Sequence, residues 1–211
     1  MDTTAADSYL QPYLDAAAAH GGTFPALLWA SPATQRVRFD AIRRSVDLHG
    51  KSLLDAGCGR ADLLGFLLEK KVVPSDYIGL EAVEELAATA LRRGYRNATI
   101  LRADFVKEPV RLFAGADVLV FSGSLNTMAS ATFFATLRRA YDAAAEAVVF
   151  NFLCSAELAA RDYLVWHRAD EVLNFCRSIC PQVRALRDYL KGDCTVTLMK
   201  EPRAPGAGHG R

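Results

Sequence analysis

The chain has 211 residues, of which 51% are hydrophobic and 23% charged, and its formal net charge is +1. This length suits one domain with a full hydrophobic core, and the composition excludes a disordered or fibrous chain. Because proteins that bind nucleic acid through phosphates usually carry a basic excess, the near-neutral charge argues against a nucleic-acid partner.

The cysteines, the first residues and the apolar segments indicate the cellular compartment to expect. Five cysteines occur without paired spacing, which indicates neither a disulfide framework nor a zinc site. The first residues lack the basic and apolar regions of a secretory signal. The most apolar windows, residues 118–121 and 148–154, are too short to span a bilayer. We therefore expect a cytoplasmic protein without a membrane partner and without a bound metal.

The first fifty residues carry helical patterns. Apolar residues at helical spacing predict a helix that Gly21 and Gly22 end. Ser31 is the predicted N-cap of a second helix, which runs to about residue 48. The aromatic residues 23–31 between them are interpreted as a loop. We expect residues 1–50 to form a helical extension, in which the glycine pair and the aromatic loop act as a lid.

Short apolar runs then alternate with helical stretches. Strands are predicted at residues 52–56, 77–80, 98–102, 117–121 and 148–153, and helices at residues 62–71, 82–93, 131–145 and 170–179. Ser130 is the predicted N-cap of the helix over 131–145. Two final strands, 183–190 and 194–199, form a hairpin around a turn at residues 191–193. This order predicts an α/β fold over residues 51–200, with a doubly wound, seven-stranded, mostly parallel sheet and an antiparallel C-terminal hairpin strand. The Pro- and Gly-rich residues 201–211 are expected to be a disordered tail.

A glycine-containing turn joins the first predicted strand to the helix that follows it. Gly57 and Gly59 allow the backbone to turn sharply and to approach a ligand at the carboxyl end of the strand. Both NAD and S-adenosylmethionine (SAM) bind at such turns. A dinucleotide fingerprint needs Gly or Ala where Asp62 stands, and Asp55 adds a second acid. Acids favour a ligand that carries an ammonium and a sulfonium over one that carries a pyrophosphate.

The turn resembles motif I of the class I SAM-dependent methyltransferases, whose pattern is roughly D/E-x-G-x-G-x-G. The sequence matches this pattern at Asp55, Gly57 and Gly59. It departs at Ala61, where the third glycine is expected and where we take alanine to be tolerated because the position mainly serves helix packing. The resemblance covers residues 51–153 well and implies the Rossmann-like methyltransferase fold.

The resemblance also implies roles for residues at the ends of later strands. Glu81 is expected to accept the two ribose hydroxyls, with Ala82 beside it. Asp104 is expected to accept the adenine amino group, and Phe105 to pack on the ring. The remaining residues expected near the cofactor are Cys58 in the turn, and Phe121 and Ser122 at the end of the fourth strand.

The acceptor side offers weaker signals. Methyl transfer from SAM needs alignment and exclusion of water, and needs a general base only when the acceptor is protonated. His20 is the candidate base, and Ser124 and Asn126 follow the fourth strand, where the family places side chains near the acceptor. Arg38 or Gln35 is a candidate partner for the SAM carboxylate.

These features favour a SAM-dependent methyltransferase that acts on a small molecule, with S-adenosylhomocysteine (SAH) as product. The sequence leaves open whether oxygen, nitrogen or carbon is methylated. It also leaves open whether the protein is a monomer or a homodimer. The alternatives are an RNA or protein methyltransferase and a non-catalytic SAM-binding module. The Asn-Pro-Pro-Tyr/Phe motif of nucleic-acid amino methyltransferases is absent after the fourth strand. Asp62 disfavours a nicotinamide oxidoreductase.

Overall fold

The N-terminal part of the chain is helical. The computed structural model describes residues 9–201 and begins with α1 (Gln11–His20), a short 3-10 turn (Phe24–Leu27) and α2 (Pro32–Ser45). α1 ends as predicted at Gly21, whose N–H donates to the Ala17 carbonyl at 2.7 Å. Ser31 caps α2 as predicted, because its hydroxyl accepts from the Thr34 N–H at 3.1 Å while the Thr34 hydroxyl accepts from the Ser31 N–H.

The rest of the described chain alternates between strands and helices. The strands are β1 (Ser52–Ala56), β2 (Asp76–Glu81), β3 (Ala98–Arg102), β4 (Val118–Ser122), β5 (Ala147–Leu153), β6 (Gln182–Leu186) and β7 (Asp193–Met199). The helices are α3 (Asp62–Glu69), α4 (Glu84–Arg92), α5 (Ser130–Ala143) and α6 (Ala169–Ile179). One seven-stranded sheet has the order β3-β2-β1-β4-β5-β7-β6. β1 to β5 are parallel, and β7 lies antiparallel between β5 and β6. The predicted fold class is confirmed.

The sheet is buried on both faces. Successive side chains of a strand point to opposite faces, so Leu119 and Phe121 of β4 pack with α5 and α6, while Val118 and Val120 pack with α2 and α3. All four side chains are at most 1% exposed. This two-sided burial explains why the central strands are continuous apolar runs in the sequence.

Several element boundaries differ from the sequence predictions by a few residues; α2, for example, ends at Ser45 and not near residue 48. α5 starts at Ser130 itself, and Ala129 is the N-cap without a side-chain hydrogen bond, so the predicted cap is wrong by one residue. β6 ends at Leu186, because the chain then forms a longer connection in which the Tyr189 hydroxyl reaches back to Asp193. The predicted tail, apart from Glu201, lies outside the described residues.

Within residues 9–201, no helix has both the length and the apolar character needed to cross a bilayer. The same part of the chain holds no group of three or more His, Cys, Asp or Glu side chains placed to bind a metal ion. All five cysteines are free thiols, and four of them are buried.

Candidate functional site

A cavity of about 820 Å³ opens at the carboxyl ends of the parallel strands. This volume is within the range of small-molecule sites. The residues that line it come from the ends of β1 to β5, from the N-terminal segment and from the stretch after β5. Ten of the predicted site residues line it: Arg38, Gly57, Gly59, Glu81, Ala82, Asp104, Phe105, Ser122, Ser124 and Asn126.

The turn after β1 forms part of the cavity wall. Gly57 has φ +79°, and a Cβ at this position would lie 2.4 Å from the Cβ of Ser124. Only glycine fits both the left-handed backbone and the close approach of the loop after β4. The N–H groups of Gly57 and Cys58 donate to the Leu80 carbonyl at 2.8 and 3.0 Å. The turn is therefore fixed against the end of β2.

Ala61 is more unusual than the sequence indicates. It is fully buried and has φ +56°, a left-handed conformation that is costly for any residue except glycine. The third glycine of the motif thus serves the backbone conformation as well as helix packing. The expectation that this position mainly serves packing was incomplete.

Glu81 ends β2 at the cavity wall. One carboxylate oxygen, Oε2, accepts from the Gly59 N–H at 2.7 Å, and Oε1 accepts from the Val83 N–H at 2.8 Å. The residue is only 6% exposed. Burial raises the pKa of this carboxyl, and the backbone hydrogen bonds act in the opposite direction. The carboxylate is therefore held in one orientation with both oxygens engaged.

Asp104 follows β3 and is covered by the N-terminal segment. Its two carboxylate oxygens accept from the Tyr9 hydroxyl at 2.6 and 2.5 Å, and Oδ1 also accepts from the Val106 and Lys107 N–H groups. Beside it, the Phe105 ring packs edge-on against Phe121 with centroids 5.6 Å apart. Tyr9 therefore contacts the acid that the sequence assigned to adenine.

The loop after β4 is held by its own side chains. The Ser124 hydroxyl donates to the Ala56 carbonyl at 2.6 Å, and the Asn126 Oδ1 accepts from the Leu153 N–H at 3.3 Å. The Gly123 N–H donates to the Asn151 Oδ1 at 3.1 Å. Within residues 9–201, the buried Ser122 hydroxyl has no hydrogen-bond partner.

Arg38 reaches the cavity from α2 and forms a buried ion pair. Its Nε and Nη2 contact the Asp193 Oδ2 at 2.6 and 2.5 Å, and its guanidinium lies 5.0 Å from the Trp29 ring centroid. Asp193 also accepts from the Tyr189 hydroxyl. Burial raises the pKa of the Asp193 carboxyl, and the charge of Arg38 opposes that shift. Sequence reasoning missed Asp193, which it had placed in a turn.

Five of the predicted residues do not line the cavity, and one of them is Gln35, which is buried in α2. Asp55 is buried under the turn, where it accepts from the Tyr77 hydroxyl at 2.6 Å. Cys58 is buried against β2, and Phe121 belongs to the core. His20 is exposed at the end of α1, so in this structure it does not reach the site proposed for a general base.

The N-terminal segment, residues 9–31, covers the cavity; we call it the N-terminal cover. Leu27 packs so closely on Gly59 that a Cβ added to Gly59 would lie 2.6 Å from the Leu27 Cδ2. Likewise, a Cβ added to Gly123 would lie 2.8 Å from the Trp29 ring. The Tyr13 hydroxyl donates to the Gly123 carbonyl at 3.4 Å. The aromatic residues next to the glycine pair were the sequence signal for this cover.

Comparisons with known proteins identify the fold. No protein-family model matches the sequence, and no curated protein sequence matches it. Solved structures do match. DhpI in complex with SAH is 17% identical with a TM-score of 0.68, and the match covers 96% of this chain and 100% of that chain. The chain has the class I methyltransferase fold.

Two further structures share this fold. Magnesium protoporphyrin IX methyltransferase from Synechocystis PCC 6803, with SAH bound, is 12% identical with a TM-score of 0.62, and the match covers 80% of this chain and 84% of that chain. A SAM-dependent methyltransferase from Leishmania major is 14% identical with a TM-score of 0.68, covering 93% of this chain and 83% of that chain.

Proposed function

We propose that this protein is a SAM-dependent methyltransferase that transfers a methyl group to a small-molecule acceptor and releases SAH. One observation carries the proposal. The turn at Gly57 and Gly59, the carboxylate of Glu81 and the carboxylate of Asp104 come from the ends of three different strands and line one cavity. The names of the similar structures support it, since two of the three are named methyltransferases and SAH is bound in two.

The residues present fit the donor. The cavity-facing carboxylate of Glu81 suits the two ribose hydroxyls, and Asp104 beside Phe105 suits the adenine amino group and ring. SAM would supply an activated methyl group on a sulfonium. The chain's own task is then to orient the donor and to exclude water, for which the N-terminal cover is placed.

Arg38 fits the SAM carboxylate. Asp193 engages its Nε and Nη2, and its Nη1 forms no hydrogen bond or ion pair within residues 9–201. The ion pair and the Trp29 ring fix the guanidinium plane at the cavity wall. A guanidinium held in this way presents its remaining donors in a defined direction.

Calorimetric titration with SAH, SAM and NAD tests the proposal. We expect both adenosyl ligands to bind and NAD not to bind. Glu81→Ala should weaken SAH binding by about 1–3 kcal/mol, because two hydroxyl hydrogen bonds to a carboxylate are lost. Glu84→Ala is the matched control, since Glu84 is a 68% exposed neighbour outside the cavity. Binding of NAD alone, or unchanged SAH affinity in Glu81→Ala, would contradict the proposal.

Two alternatives differ in their second ligand. A non-catalytic SAM-binding module would bind SAH but show no methyl transfer to any acceptor. An RNA or protein methyltransferase would transfer methyl groups only to macromolecules. A labelled-SAM assay against small acids, amines and phenols, with RNA and cell protein in parallel, separates these outcomes. A cytoplasmic location and a monomeric or homodimeric state stay predictions from the sequence.

A further inference from the structure

The cavity is chemically divided into two ends. Its described lining contains two acidic residues. Glu81 ends β2, and Asp104 follows the neighbouring strand β3. The other end is formed by the loop after β4, the end of β5 and residues 158–164. Its wall is largely apolar, and the apolar side chains include Met128, Leu153, Leu158, Leu164 and Leu190. An acceptor that occupies this end therefore has an apolar body.

The Asn126 side chain supplies a hydrogen-bond donor at this second end. Asn126 is 7% exposed, and its Oδ1 accepts from the Leu153 N–H. Since an amide oxygen accepts and an amide nitrogen only donates, this contact fixes which way the side chain points. The Asn126 Nδ2 forms no hydrogen bond within residues 9–201, and the residue lines the cavity. Its N–H donors are available to a ligand.

Arg161 adds a positive charge to the same end. It is exposed, lines the cavity and forms no ion pair with any residue of the described chain. Arg38 differs, because its charge is compensated by Asp193. Tyr163 also lines the cavity, and its hydroxyl can donate a hydrogen bond. The second end thus presents a cation and hydrogen-bond donors.

We propose that the acceptor is an apolar organic acid and that its carboxylate oxygen receives the methyl group. This inference rests on the proposed function. In the reaction, a carboxylate lone pair forms the new C–O bond while the S–CH3 bond breaks and its electron pair stays on sulfur. The products are a neutral methyl ester and neutral SAH, and no proton has to be removed.

The absence of proton transfer fits the residues at the site. The described cavity lining contains no histidine and no lysine, and its acids lie at the donor end. A phenol or an ammonium acceptor would need a base, whereas a carboxylate is already ionised at neutral pH. A covered, apolar cavity also favours a step in which a negative and a positive charge neutralise each other.

Competition among matched ligands tests the charge preference. The probes are 3-phenylpropionate, 3-phenylpropanamide and 3-phenylpropylamine, with a naphthyl and a straight-chain set of the same three types, titrated into SAH-loaded protein. We expect at least one acid to bind about tenfold or more tightly than its amide and its amine, as a charge-assisted contact adds at least about 1.4 kcal/mol. Failure of every acid to bind, or an amide or amine that binds equally well, would overturn the inference.

Variants identify the residues responsible. Asn126→Asp keeps the oxygen that Leu153 needs and replaces the donor amide with a negative charge, so acid binding should fall by about tenfold or more. Arg161→Gln should weaken binding of the acid but not binding of the amide. Arg138→Gln, on the exposed side of α5 and outside the cavity, is the control. Equal effects on acid and amide in both site variants would assign them only a structural role.

The product identifies the methylated atom. Protein, labelled SAM and the acid that binds most tightly should give a methyl product that releases methanol in mild base, as an ester does. A base-stable product, or no ester from an acid that binds, would overturn the inference. SAH binding to the same protein is a separate readout. If SAH fails to bind, the proposed function fails; if SAH binds without an acid preference, only the inference fails.

Discussion

At the scale of single residues, the least expected finding is the buried pair of Arg38 and Asp193. The partners are 155 positions apart in the chain, and Asp193 is 1% exposed. Removing two charges from water costs several kcal/mol, and a buried pair recovers this only through good geometry. Such a pair is therefore weak evidence for stability. The position of Arg38 at the cavity wall, beside Trp29, agrees with the ligand contact proposed for it.

Removing one partner of the Arg38–Asp193 pair should lower the free energy of unfolding more than removing both partners. We expect Asp193→Ala to lower the free energy of unfolding by about 3–5 kcal/mol, because Arg38 remains as an uncompensated buried charge. The double variant Arg38→Leu with Asp193→Leu should lose less. Urea unfolding at pH 7 measures both. Glu157→Ala, which breaks an exposed pair with Lys191, should cost under about 1 kcal/mol. A double variant as unstable as the single one would disprove this account.

The acids of the proposed donor end could be selected from the sequence through the resemblance to the methyltransferase pattern, whereas the buried pair could not. Glu81 and Asp104 follow predicted strands, and the ends of parallel strands share one edge of the sheet. The pairing of Arg38 with Asp193 depends on how α2 packs against the start of β7, which no local pattern encodes. Likewise, the left-handed backbone of Ala61 follows from the turn it completes, and alanine gives no sign of it.

At the scale of elements, the N-terminal cover contacts residues that follow three different strands. Tyr9 contacts Asp104, Leu27 packs on Gly59, and Trp29 packs on Gly123. Helical periodicity predicted α1 and α2, and the glycine pair predicted the break between them. The sequence did not predict which aromatic side chain meets which strand end, because those contacts are set by long-range packing.

The Tyr9 hydroxyl donates to the Asp104 carboxylate, which we propose as the adenine acceptor, so this hydroxyl should compete with the ligand. We expect Tyr9→Phe to tighten SAH binding about 3- to 10-fold. In the variant, the ligand no longer has to replace the hydrogen bond from the Tyr9 hydroxyl to the Asp104 carboxylate. Calorimetry with SAH measures the change. Tyr95→Phe is the control, since that hydroxyl accepts from Arg93 and lies outside the cavity. Weaker SAH binding in Tyr9→Phe would show that the hydroxyl assists the ligand.

At the scale of the whole molecule, the fold class follows from the sequence far better than the identity of the acceptor does. Alternation of strands and helices, together with a final hairpin, predicts a doubly wound sheet, and the observed order agrees. The donor end repeats a pattern tied to that topology. The proposed acceptor end is assembled from the loop after β4, the end of β5 and residues 158–164, whose spacing in sequence follows no rule.

The fold also carries several acids into its interior, and Asp55 shows the consequence. It is 2% exposed in β1, and burial raises its pKa from an ordinary value of 3.8 to about 7, although the Tyr77 hydroxyl bond favours the charged form. Glu81 adds a smaller upward effect. The folded protein thus holds this proton more tightly than the unfolded chain between about pH 4 and pH 7. Its contribution to stability is present at low pH and is lost as the pH rises through that window.

Asp55→Asn should remove this loss. The amide keeps the shape and an oxygen for the Tyr77 hydroxyl but carries no charge, so above pH 7 we expect the variant to be more stable by about 1–4 kcal/mol. At pH 4, which is close to the ordinary pKa of 3.8, the two proteins should be close in stability because little of this difference has developed. Urea unfolding at pH 4 and pH 8 measures the difference. The control is Asp170→Asn: Asp170 is exposed and its pKa is lowered by a hydrogen bond from Arg168, so this change should slightly reduce stability at pH 8. A variant at position 55 that is less stable at pH 8, with the pH dependence unchanged, would show that the buried carboxylate is stabilised by contacts that the amide does not replace.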